Sequence, residues 1–261
     1  EFISEVKTKI MFQSFSEQIA EVIPDKQNAP KNSYQKSQII HYKEIFASTA
    51  SQKIIPNAVQ HNVPAWTIFA MFFIAIPLSN SIIKEKTEGS VFRLHTMPTP
   101  FLLLINGKII VYVIVCLLQF LLMLAVGKFL LPQLGLPALV LGNSITGISL
   151  LTLATGFAAT GFGVAVGTLA TTDHQAAIMG SLSILLLSAL GGIWVPSYVM
   201  PDVMRSISAF SPLNWSLEGF YKLFLRGGGV NDILSDALKL MAFFFIMMGI
   251  SYLANRKKRN V

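Results

Sequence analysis

The residues best suited to chemistry lie in one charged connector, Lys84–Pro100, which reads KEKTEGSVFRLHTMPTP and is set between two apolar stretches. Val91, Phe92 and Leu94 offer apolar anchors, while Glu85, Glu88 and Arg93 offer charges. That mixture suits docking on a soluble partner, because a protein interface joins a desolvated apolar centre to a polar rim. Lys84–Leu94 can continue as a helix out of the preceding stretch, with Gly89 as its weak point, and Met97–Pro100 stops it. A solvated loop that only joins two elements is the plainer reading of the same residues.

No other group of residues assembles into a site for catalysis or cofactor binding. Gly161, Gly163 and Gly167 imitate a glycine-rich nucleotide turn, but they lie inside an apolar helical stretch and follow no strand. The sequence has no Walker Gly-Lys-Ser/Thr motif, so the chain is not expected to bind ATP or its magnesium. His41, His61, His95 and His174 read as scattered over loops without metal-ligand spacing, and no metal site is expected. Cys116 stands alone within an apolar run and gives neither a disulfide framework nor a metal pair. Asn214-Trp-Ser216 matches a glycosylation sequon, a three-residue pattern of low specificity.

The elements that position the connector follow from composition. Of 261 residues, 53% are hydrophobic and 13% charged, against about 25% charged in ordinary soluble domains. Five windows are long and apolar enough to cross a hydrocarbon core: Val63–Ile83, Phe101–Val126, Ser144–Ala170, Ala176–Val195 and Ile233–Ala254. Pro77 predicts a kink in the first, and Lys108 in the second is expected to snorkel to the nearer interface. In the last, Asp236 and Lys239 delay the apolar part. The fold class is therefore all-α integral membrane.

Orientation follows from basic residues. Lys84, Lys86 and Arg93 lie between the first two spans, and Arg256, Lys257, Lys258 and Arg259 follow the fifth. Five spans put both groups on one side, which is assigned to the cytoplasm. Lys128, Arg205, Lys222 and Arg226 lie on the other side, so the asymmetry is modest. The net charge of +7 serves topology, and its dispersal argues against nucleic acid as a partner. The first sixty residues then lie outside the cytoplasm without an apolar run to insert the chain, which points to a missing upstream span and six spans in all.

Residues 1–62 read as the C-terminal part of an extracytoplasmic domain, and 63–261 as the membrane domain. Glu1–Ile23 has helical apolar spacing, Pro24–Ser33 is a loop by its turn residues, and Tyr34–Gln60 shows no clear pattern. Thr155, Ala159, Gly163 and Gly167 share one helix face, where small side chains allow close backbone approach. Packing within the subunit and a dimer interface both fit that face. Residues 196–229 predict two short amphipathic helices. Val203, Met204, Ile207 and Phe210 line one, Leu217, Phe220, Tyr221, Phe224 and Leu225 the other, and Pro212 separates them. They form either a re-entrant hairpin or a pair lying on the membrane.

The chain resembles the type-2 ABC transporter permeases, the membrane subunits of exporters whose ATPase is a separate chain. The resemblance rests on VPAWTIFAMFF in the first span, EKTEGSVFRLHTMP after it, and SPLNWSLEGFYKLFLRGGG before the last span. It covers roughly Val63 to the C-terminus. The resemblance implies a homo- or heterodimer of permeases in a bacterial cytoplasmic membrane, two ATPase subunits holding ATP and magnesium, and outward movement of a substrate. It makes the connector (84–98) a coupling helix, with Glu85, Glu88 and Gly89 carried over by pattern. Phe92 and Arg93 are added from their chemistry. Pro212, Asn214, Glu218 and Tyr221 then belong to a hairpin shaping the outer end of the path. Two alternatives stand beside it: a non-transporting scaffold or signalling subunit acting through the external segment, and an intramembrane enzyme, which would need paired polar groups that the spans lack.

Overall fold

A computed structural model of the chain describes residues 56–87, 101–197 and 199–259, with backbone alone for 101–104 and 257–259. The expectations for the external segment up to residue 55, and for Glu88, Gly89, Phe92 and Arg93, lie outside the described residues. The described residues belong to one compact unit, Gln52–Val261. Among them every regular element is helical, and five helical stretches are long and apolar enough to cross a bilayer. The protein is an all-α integral membrane protein.

The first span is two helices, α1 (Ala58–Phe73) and α2 (Ala75–Thr87). It begins before the sequence window because Asn57 and Gln60 form a reciprocal cap: Asn57 Oδ1 accepts from the Gln60 backbone at 2.8 Å, and Gln60 Oε1 accepts from the Asn57 backbone at 3.3 Å. The break at Ile74 has its cause in Pro77, which cannot donate to the carbonyl of Phe73 four residues before it.

The next span, α3 (Phe101–Ala125), runs on through a π-turn, Val126–Leu130, to Gln133, beyond the expected end at Val126. The turn lets the Leu131 amide reach Val126 O. The matching π partner of Gly127 O would be residue 132, but that is Pro132, which has no N–H. Leu139 from the following loop donates to Gly127 O instead, at 3.0 Å.

Helix α4 (Ile145–Leu169) is the axis of the bundle: 83% of its most apolar window is buried, against 22% for each of the three other spans after the first. Its glycines let neighbours approach to backbone contact. A Cβ on Gly161 would lie 3.3 Å from Phe244 Cα, and one on Gly163 2.9 Å from Ala75 Cα. By contrast, Ile110, Val111, Ile114, Leu118, Leu121 and Leu122 of α3 face outward, as hydrocarbon requires.

Helix α5 (Asp173–Leu190) starts at Thr172, whose hydroxyl accepts from the Gln175 backbone at 3.2 Å. It stops short of the expected Val195 because Gly192 takes φ +88°. That turn brings the Ile193 amide back to Ser188 O at 3.2 Å, closing the last turn. Two short helices follow, α6 (Asp202–Ser208) and α7 (Pro212–Phe224), and then α8 (Val230–Arg259). Pro212 opens α7, where its missing N–H costs nothing.

The two short helices differ in environment. Ten of the thirteen residues of α7 are buried, so protein covers it. On and after α6, Val203 and Phe210 are 75% and 82% exposed. The pair is therefore one core helix and one apolar helix open to its surroundings.

Candidate functional site

At the Lys84 end of the bundle, the last turns of α2 are tied to two neighbours. Lys108, two turns into α3, places Nζ 2.8 Å from Glu85 Oε1 and donates to Ser81 Oγ at 2.5 Å. A lysine at that depth is costly in hydrocarbon unless paired, and Glu85 supplies the pairing. Lys86 Nζ donates to Gly167 O at 2.9 Å, one of the last carbonyls of α4. A cation is favoured there by the partial negative charge of the helix C-terminus. Beside these groups Pro77, Asn80, Ser81, Lys84 and Glu85 line an open hollow of about 420 Å³.

Glu85 is thus engaged within the chain while its side chain remains 48% exposed. Sequence reasoning placed Lys108 near an interface but missed its partner. The signal was available: a charge two turns inside an apolar span needs a counter-charge at the same depth. Of the proposed coupling residues, only Glu85 is among those described.

The small face of α4 is turned inward. Thr155 and Ala159 are fully buried. The Thr155 hydroxyl donates to Leu151 O at 2.8 Å and lies 3.1 Å from Ser216 Oγ of α7. Gly163 meets Ala75 and Leu78, and Gly167 meets Ser79 and Ile82, all on α2. All four contribute to packing within the chain.

At the opposite end, α7 closes over the ends of α1 and α5. His61 lies in the first turns of α1 rather than in a loop, and His174 in the first turn of α5. Both ring nitrogens of buried His61 are used. Nε2 is 3.2 Å from Ile193 O and Nδ1 meets the Tyr221 hydroxyl in a short contact. A carbonyl can only accept, so Nε2 carries the proton and Nδ1 accepts from Tyr221 O–H. Ser211 Oγ donates at 2.9 Å to Leu187 O, which also accepts from the Gly191 backbone, and Asn214 Nδ2 donates to Gly191 O at 3.3 Å, so α7 is fixed to the C-terminal end of α5. Glu218 Oε1 accepts from Ser197 Oγ at 3.0 Å and so ties the 191–201 loop to α7. The Asn214 amide is buried by these contacts, which removes it as a glycosylation acceptor.

Three of the four hairpin residues, Asn214, Glu218 and Tyr221, are therefore fasteners between α7 and its neighbours, while Pro212 starts the helix. Sequence reasoning missed His61, and no local pattern marks it, because its partners lie 132 and 160 residues away. Tyr221→Phe removes the donor and leaves Nδ1 buried and unpaired, which costs about 1–3 kcal/mol. The expected result is a lower midpoint of thermal unfolding in detergent, with His61→Ala and the double variant no worse than the larger single change.

An axial glycine-rich helix, four further membrane-length stretches, a clamped polar end and a buried helical cap at the other end define an all-α integral membrane protein. The sequence pattern of the ABC-2 family transporter proteins matches residues 4–253. The chain belongs to that family. It is similar to the inner membrane transport permease YhhJ of Escherichia coli, at 30% identity over 207 residues that make up 74% of this chain and 52% of YhhJ. It is also similar to the linearmycin resistance permease protein LnrN of Bacillus subtilis, at 24% over 178 residues, 67% of this chain and 44% of LnrN. With YvfS of Bacillus subtilis it shares 26% over 217 residues, 78% of this chain and 85% of YvfS. The chain spans about half the length of YhhJ and LnrN.

Proposed function

We propose that this chain is the membrane permease subunit of an ATP-driven exporter, coupled to a separate ATPase. The observation that carries the reading is the family match across residues 4–253. The relatives named as permeases support transport rather than chemistry on a substrate. The connector 88–100 lies between the ends of α2 and α3, so a soluble partner seated there can act on two spans at once. In this reading the partner binds and hydrolyses ATP, a second permease completes the path, and the Lys84 end faces the cytoplasm of a bacterial cell. The basic residues Lys84 and Lys86 at that end and Arg256 at the end of the last span support the orientation. Export requires that nucleotide binding favour one state of the permease over another, which the connector transmits.

The test is ATPase turnover in the reconstituted complex. Glu88→Gln and Arg93→Ala should each lower permease-dependent stimulation of the ATPase while the permease still inserts. Full stimulation and transport in both variants would sink the coupling role of the connector.

A further inference from the structure

Among the described residues, the two helices that flank the connector share an ion pair and an apolar cluster that includes Leu78, Ile82, Ile105 and Ile109. Glu85 stands two residues before the end of α2, and Lys108 two turns into α3. Their 2.8 Å contact ties α2 to α3, and Ser81 Oγ holds the same ammonium at 2.5 Å. One residue further along α2, Lys86 grips Gly167 O of the axial helix at 2.9 Å. Adjacent residues of α2 thus hold α3 on one side and α4 on the other.

We propose that Lys108 is a positioning residue for energy coupling: with Glu85 it makes the connector ends of α2 and α3 move as one body. The role of Glu85 is then internal, to carry displacement of the connector into α3, and not to meet the ATPase itself. The proposal rests on the reading of the chain as an exporter permease. Three features favour it over simple stabilisation. Glu85 is half-exposed, so losing Lys108 leaves a carboxylate that water can still reach. Lys108 is 15% exposed and keeps Ser81 as a partner when Glu85 is replaced. Loss of Lys108 therefore strands no buried charge, and loss of Glu85 leaves the Lys108 ammonium with the Ser81 hydroxyl. The pair also lies near the connector ends of α2 and α3 and outside their shared apolar cluster, so its geometry bears on transmission more than on the core.

The test uses the permease reconstituted in lipid vesicles with its ATPase, comparing wild type, Glu85→Lys, Lys108→Glu, Lys108→Met and the swapped pair Glu85→Lys/Lys108→Glu. Two quantities are read: permease-dependent stimulation of ATP turnover, and retention of the ATPase on the purified permease. Each single variant is expected to lose about fivefold or more of the stimulation, the lower range of a coupling effect, while retaining the ATPase. The swapped pair is expected to recover to within about twofold of wild type, since a reversed pair restores the Coulomb attraction. A swapped pair as defective as Glu85→Lys overturns the proposal and assigns Glu85 to direct contact with the partner. Normal stimulation in Lys108→Met also overturns it. Loss of the ATPase from the Lys108 variants shows a failure of assembly and overturns it likewise. Failure of the exporter reading looks different: wild type itself then gives no permease-dependent stimulation.

Discussion

Gly167→Leu is expected to lower the thermal midpoint of the detergent-solubilised permease by about 5 °C or more. Gly163→Leu should act alike, and Gly249→Leu should leave the midpoint almost unchanged. The difference lies in what each new Cβ meets. At Gly167 it meets Ser79 Cα at 2.8 Å and Ser79 O at 3.1 Å, and at Gly163 it meets Ala75 Cα at 2.9 Å. These are backbone atoms of α2, and backbone cannot turn aside as the end of a flexible side chain can. At Gly249 nothing lies within 4 Å. Overpacking of this kind costs about 1–3 kcal/mol, and more where the helix must shift bodily. The shift would have a second consequence, because Lys86 reaches Gly167 O and Glu85 follows α2. Separating α2 from α4 therefore loosens the Lys84 end as well as the core. Thermal unfolding followed by size exclusion reads the first effect. Equal midpoints for Gly167→Leu and Gly249→Leu would remove the backbone contact as the reason for the small residues.

Spans were legible in the sequence where hydropathy alone decides them, and their ends were not. Val63 opened the first window because apolar residues begin there, yet the helix starts at Ala58 because Asn57 and Gln60 cap it. Ile233 opened the last window, but α8 starts at Val230, where Asp232 Oδ2 accepts from the Gly229 backbone at 2.8 Å. Val195 closed the fourth window, while the helix ends at Leu190 because two successive glycines permit the turn that Ile193 completes. In each case a local polar contact overrides the apolar average. The small face of α4 was readable as a packing surface from its spacing, though its partner, α2, was not. Spacing tells which residues share a face and says nothing about what lies across it.

The functional end divided along the same line. Glu85 was readable as a charge at the connector, but its pairing with Lys108 depends on how two helices separated by the connector are placed side by side. The hairpin was readable as two short helices parted by Pro212. That α7 would be core and α6 open was not, since both have an apolar face. The difference comes from the long-range contacts of α7 with α1 and α8, made by Tyr221 and Lys222.

Lys222 gives the second large effect. Its Nζ lies 2.6 Å from Asp236 Oδ2, joining α7 to the second turn of α8, while Lys239 stands 3.8 Å from the other carboxylate oxygen. The Asp236 side chain is 6% exposed, so it has been taken almost wholly out of water. Removing one partner of such a pair leaves a buried charge without adequate compensation, at about 3–5 kcal/mol. Lys222→Met is expected near the lower end of that range, because Lys239 remains within reach of the carboxylate. Asp236→Leu should be milder, since the lysine it abandons is 26% exposed and can turn to water. Lys222→Met/Asp236→Leu together should be more stable than Lys222→Met alone, because two well-packed apolar groups often replace a buried ion pair without loss. The thermal midpoints of the three variants decide this, and a double variant as unstable as the sum of the single ones would show that the two groups act separately. If the pair does act as a unit, its loss weakens the attachment of α7 to α8 and leaves more of the load on contacts such as Tyr221–His61. Combining Lys222→Met with Tyr221→Phe should then cost more than the two changes separately, because these adjacent residues of one short helix make polar contacts to the first span and to the last.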